Sequence, residues 1–136
     1  MHVIIGGAYS GKRQFVKNQI SSAQWISAYD DKFISEEILT VENGTIVLEG
    51  FEMWIVQYIQ SGKSDQEICA LFEQYFDLLI AKYDVYLIML EIGRGIVPME
   101  AESRRLRDIM GWIQQSAVKR AETATYMWHG LSQRMK

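Results

Sequence analysis

The sequence predicts an α/β fold with a mostly parallel sheet, and three observations carry that expectation. Short apolar, β-branched runs alternate along the chain with stretches of helical periodicity. One run, Asp84 to Leu90 (DVYLIML), is almost continuously apolar, as in a strand covered on both faces. The polar residues that end the strands also fall where a parallel sheet gathers them, at one edge beyond the strands' carboxyl ends.

Taken in order, His2 to Ile5 is an apolar run that stops at Gly6 and Gly7, and Phe15, Val16 and Ile20 then recur at helical spacing. This reads as strand, tight loop, helix. Gln24 to Ala28 is a second strand, and Tyr29 to Glu37 is a polar connection with little periodicity. The Asn43-Gly44 pair signals a turn before a third strand, Thr45 to Leu48, closed by Glu49 and Gly50. Helical patterns follow over Phe51 to Gln60 and Ser64 to Lys82, divided by Ser61-Gly62-Lys63, with Ser64 and Glu67 spaced as a capping box. After the 84–90 strand comes Glu91, and residues 92–103 read as a loop from their glycines and the chain's one proline. A long helix is expected from Glu102 to Ala121 and a strand from Thr125 to Trp128. Beyond His129 and Gly130, the tail LSQRMK suits a short edge strand.

Composition bounds the function. At 136 residues the chain suits one domain, residues 1–136; with 49% hydrophobic and 23% charged residues it has the makings of a packed core. A net charge of -3, with Arg104, Arg105 and Arg107 as the longest basic cluster, argues against a nucleic-acid partner. These arginines are expected to pair with acids of their own helix. One cysteine excludes an intramolecular disulfide and fits a cytoplasmic location, and no segment has the length of a membrane span.

The stretch GGAYSGKR, residues 6–13, carries the chemistry. Gly6, Gly11 and Lys12 match the phosphate-loop pattern G-x-x-x-x-G-K-[ST], while Arg13 stands where the pattern wants a hydroxyl. Glycines let the backbone approach phosphate oxygens, the helix N-terminus adds positive potential, and lysine reaches the outer phosphates. A strand before the loop and a helix after it give the context of a three-layer P-loop NTPase-like fold. The candidate nucleotide contacts are Gly6, Gly7, Ala8, Tyr9, Ser10, Gly11, Lys12 and Arg13. The pattern points to a nucleotide or phosphate ligand, with GTP or ATP expected. Mg²⁺ binding is weakened, because the hydroxyl that normally helps hold it is missing at Arg13. Arg13 reads equally as a phosphate contact or as a solvated helix residue. Glu49, ending the third strand, sits where P-loop proteins carry a carboxylate, so Lys12 and Glu49 are the catalytic candidates. Without the loop, Glu49 would read as a helix-capping acid. Glu91 and Arg94 are weaker candidates for supporting positions.

Two stretches together, GGAYSGKR and LEIGRGIVPMEAESRRLRDIMGWIQQ (residues 90–115), resemble the bifunctional adenosylcobinamide kinase/adenosylcobinamide-phosphate guanylyltransferase family of cobalamin biosynthesis. The G-x-G-I-V-P segment followed by R-x-x-R-D-x-x-G-x-x-Q is the more specific, and Gly130 to Lys136 echoes the family's terminal motif. The resemblance implies a homotrimer that phosphorylates the aminopropanol hydroxyl of cobinamide and then transfers GMP to that phosphate. It assigns further nucleotide contacts to Ser27, Ala28, Tyr29 and Glu49, and a corrinoid as partner. The chain departs from the family in two places. The family guanylylates itself on a histidine after the second strand, and here no histidine lies between His2 and His129. Arg13 is the other departure. Guanylyl transfer through that histidine is therefore not expected, and the readings that stay open are a nucleotide-dependent kinase of this family, a nucleotide-binding module without turnover and, last, a generic small-metabolite kinase that needs only the loop.

Overall fold

The computed structural model describes residues 1–37, 44–93 and 100–136. Its strands are β1 (His2–Gly6), β2 (Gln24–Ser27), β3 (Thr45–Glu49), β4 (Asp84–Leu90), β5 (Thr123–Trp128) and β6 (Leu131–Arg134). They form one sheet in the order β2-β3-β4-β1-β5-β6, parallel throughout except for β6, which pairs antiparallel with β5. The helices are α1 (Lys12–Gln19), α2 (Ile34–Glu37), α3 (Phe51–Gln60), α4 (Asp65–Ile80) and α5 (Ala101–Arg120).

Alternation along the strands divides the core in two. Val3, Ile46, Leu48, Val85, Leu87 and Met89 face α3, α4 and α5 within the larger cluster, where Phe51 meets Trp54 edge-on at 5.3 Å between ring centroids and lies 5.8 Å from Phe72. Ile4, Val47, Ile88 and Met127 point the other way and pack with Val16 of α1. The result is an α/β fold with helices on both faces of a mostly parallel sheet. Among the described residues, no helix is long and apolar enough to cross a membrane.

Most expected elements stand within two residues of their limits. Ser64 caps α4, its Oγ accepting from Glu67 N at 3.1 Å while Glu67 Oε1 accepts from Ser64 N. Ser64→Ala should cost about 1 kcal/mol in urea unfolding, the usual worth of such a cap. The connection after β2 differs from expectation. It contains a 3₁₀ turn at Ala28–Asp30 and the single-turn α2, which inserts Ile34 into the core, so one buried residue fixes a turn that shows no periodicity. Of the basic cluster, Arg107 pairs with its neighbour Asp108, but Arg105 reaches Asp65 of α4 at 2.7 Å and so ties two helices together. The Asn43-Gly44 turn is described only from Gly44 on.

The tail's turn also shapes the sheet's working edge. Trp128 pairs with Leu131, leaving His129 and Gly130 at φ 49° and 78° as the two-residue loop of a hairpin. Gly130 N donates to Ser10 O at 2.9 Å. The tail thus braces the loop that follows β1.

Candidate functional site

Strand register builds one row of residues at the carboxyl edge. Ser27 of β2 lies beside Glu49 of β3, Glu49 beside Ile88 of β4, and Gly6 of β1 pairs with Leu90 of β4 and Met127 of β5. Beyond this row a cavity of about 620 Å³ is lined by Ala8, Tyr9, Ser10, Gly11, Lys12, Arg13, Gln14, Tyr29, Glu49, Ile88 and Leu90. Among the expected positions, eight meet here. Gly6 and Gly7 lie off the lining, their carbonyls accepting from Lys12 Nζ, and so do Ser27 and Ala28: Ser27 is buried with its Oγ accepting from Tyr29 N at 3.3 Å, and Ala28 packs against Gly50. Glu91 also lies off the lining. Its Oε2 accepts from Tyr126 OH at 2.7 Å, and its N donates to Gly6 O. Arg94 is outside the described residues.

The loop's conformation follows from its sequence. Gly11 has φ 95° and is the N-cap of α1, a left-handed position open to glycine at little cost. No side chain caps α1 and its first turn holds no acid, so the amide groups of that turn keep their affinity for an anion. Tyr9, with φ 55°, holds its ring fully in solvent at the loop's tip.

Lys12 is buried. Its Nζ donates to Gly6 O at 2.9 Å and Gly7 O at 2.5 Å and lies 3.4 Å from Ser10 Oγ. Burial pushes its pKa below the ordinary lysine range, while the carboxylates of Glu52 and Glu49 hold it up.

Arg13 Nη2 lies 2.7 Å from Glu49 Oε1. The contact is an ion pair by distance, although no N–H points along it closely enough to satisfy Glu49 Oε1 with an aligned hydrogen bond. Glu49 is 2% exposed and Arg13 58%, so the carboxylate is the desolvated partner and depends on the guanidinium for compensation. The guanidinium also sits 5.5 Å from the Trp25 ring centroid, within cation–π range. Tyr29 donates a hydrogen bond to Glu52 Oε1, and burial together with that bond raises its pKa. Arg13 is thus an ion-pair partner of Glu49, where the sequence left it between phosphate contact and solvated residue.

The fit to Mg²⁺ is poor. Arg13 supplies no acceptor atom, and the carboxylate oxygen nearest the loop already faces a cation. Among the described residues, no group of three or more His, Cys, Asp or Glu side chains could hold a metal ion.

Residues 22–135 match the family model described as cobinamide kinase / cobinamide phosphate guanyltransferase. The chain belongs to this family. Comparison with curated proteins gives no match. The matched span begins after the glycine–lysine loop, so within this cobinamide kinase / cobinamide phosphate guanyltransferase family member the loop's reading stands on its own pattern and geometry. Sequence reasoning overlooked Glu52, Trp25 and Gln14. Glu52 had one signal available, its place three residues after Glu49 in the first turn of α3, where a carboxylate points back toward the same edge.

Proposed function

We propose that this protein acts in cobalamin biosynthesis by binding ATP or GTP, with the phosphates on the Gly6–Arg13 loop, and transferring a phosphoryl group to the hydroxyl of cobinamide. The observation that carries this reading is the buried Lys12, held at the floor of a cavity that also presents Glu49, at the carboxyl edge where α/β sheets take their ligands. Lys12 and the α1 amides would stabilise charge on the transferring phosphoryl group, and Glu49 would orient the acceptor hydroxyl. Tyr29, positioned by Ser27 and Ala28, would close one side of the site over the nucleotide. Guanylyl transfer through a histidine intermediate is not part of the proposal, because the chain has no histidine between His2 and His129. The working form we propose is a single-domain chain in a cytoplasmic homotrimer.

Incubating the protein with ATP or GTP and cobinamide, and separating the products by chromatography, tests the reading. Cobinamide phosphate should form. One observation favours a second reading, a nucleotide-binding module without turnover: Glu49, the carboxylate nearest the loop, is engaged by Arg13. Nucleotide binding with no product under any nucleotide would select that reading.

A further inference from the structure

Resting on the nucleotide site just proposed, we infer that Arg13 is a built-in replacement for the divalent cation, so that the loop takes nucleoside triphosphate as the metal-free polyanion. In a P-loop site the cation lies between the hydroxyl that follows the lysine and a carboxylate at the end of a neighbouring strand, and it neutralises the outer phosphates. Both ends of that arrangement are altered here by one residue. Position 13 offers a guanidinium, which has five donors and no lone pair, so it cannot ligate a metal. The same guanidinium lies 2.7 Å from Glu49 Oε1, on the carboxylate the cation would use, and it lines the cavity that Lys12 floors.

Charge points the same way. A divalent ion added beside Glu49 would meet Arg13 at close range with the buried Lys12 behind it, and would have to displace the guanidinium that already compensates this carboxylate. Arg13 meanwhile has the means to serve phosphate directly. Its side chain is more than half exposed and lines the cavity, the Trp25 ring 5.5 Å away supports the guanidinium, and a guanidinium's fork matches phosphate oxygens. Its pairing with Glu49 lacks an aligned hydrogen bond, which leaves N–H groups to turn toward an arriving anion.

Calorimetric titration of the full chain with ATP and with GTP, in excess Mg²⁺ and in EDTA, tests the inference. In the wild type the two dissociation constants should agree within about threefold, whereas Arg13→Ser, which restores the pattern's hydroxyl and frees Glu49, should bind at least tenfold more tightly with Mg²⁺ than with EDTA. A tenfold or greater loss in EDTA for the wild type overturns the inference and leaves the nucleotide site standing. Absence of binding in both buffers overturns the nucleotide site itself. The wild-type ratio decides the point even where Arg13→Ser fails to fold; the variant locates the effect at Arg13.

Discussion

Replacing Lys12 by alanine is expected to weaken nucleotide binding at least about 100-fold in calorimetry. The side chain is buried and its Nζ is aimed by Gly6 O and Gly7 O, so the ammonium is held in place before any phosphate arrives. With two of its three N–H groups on Gly6 O and Gly7 O, one is left for phosphate, and a charge-assisted hydrogen bond, worth about 1.5–3 kcal/mol, reaches the roughly 2.7 kcal/mol that 100-fold represents. Alanine also removes the buried stem, so Lys12→Met, which keeps most of the stem and loses the charge with its donors, is the companion variant. It should bind as weakly while unfolding closer to wild type. The same lysine predicts the pH response. Phosphate favours the ammonium form, so affinity is complete below the free protein's Lys12 pKa and falls as pH rises through it. Because burial moves that pKa down, the fall should begin below the pH at which an ordinary lysine deprotonates, and Lys12→Arg should lack it. Unchanged affinity in Lys12→Ala would remove the loop from the site.

What could be read from sequence, and what could not, divides along the range of the forces involved. The strands were legible because alternation and apolar runs report which faces are buried: Ile46 and Leu48 face one layer, and Val47 the other. The loop was legible because backbone chemistry fixes its residue types locally, a glycine at the φ 95° of Gly11 and a lysine beside it. The partners of Arg13 were not. Its contact with Glu49 arises because β1, which leads into α1, and β3 both pair in register with β4, a pairing no local pattern records, and Trp25 joins it from the edge strand. Arg105 makes the same point for packing, since its acid lies on a helix whose approach is set by the core between them. Ser27 and Ala28, which the resemblance assigns to nucleotide contact, lie off the cavity lining: a Cβ at Gly50 would come within 2.7 Å of Ala28, so the start of α3 is seated directly on that residue.

The family match and the loop also divide the functional argument. The match spans residues 22–135 and carries membership, while residues 6–13 precede it and hold the proposed phosphate site. The two segments meet physically in the hairpin turn, where Gly130 donates to Ser10 O and packs against Gly11. Loop geometry is thereby tied to the matched part of the chain, and the energetic coupling can be measured at Gly6.

Gly6→Ala should destabilise the fold by about 2–3 kcal/mol, lowering Tm by roughly 5–12 °C, and should weaken nucleotide binding along with it. A Cβ there would lie 2.4 Å from Met127 O and 2.7 Å from Ser10 Oγ. The first obstacle is backbone on β5, which pairs in register with Gly6 and cannot turn aside as a side chain would. Either β1 and β5 move apart or the loop lifts away from Met127, and each displaces the carbonyl of Gly6 that aims Lys12 and accepts from Glu91 N. Gly7→Ala is the control. A Cβ at Gly7 meets nothing within 4 Å, so its thermal unfolding should match wild type within a degree or two. If Gly6→Ala unfolds with wild-type Tm, the close approach of β1 to β5 is not what seats the loop, and the coupling between the phosphate segment and the tail must be sought in the Gly130–Ser10 hydrogen bond instead.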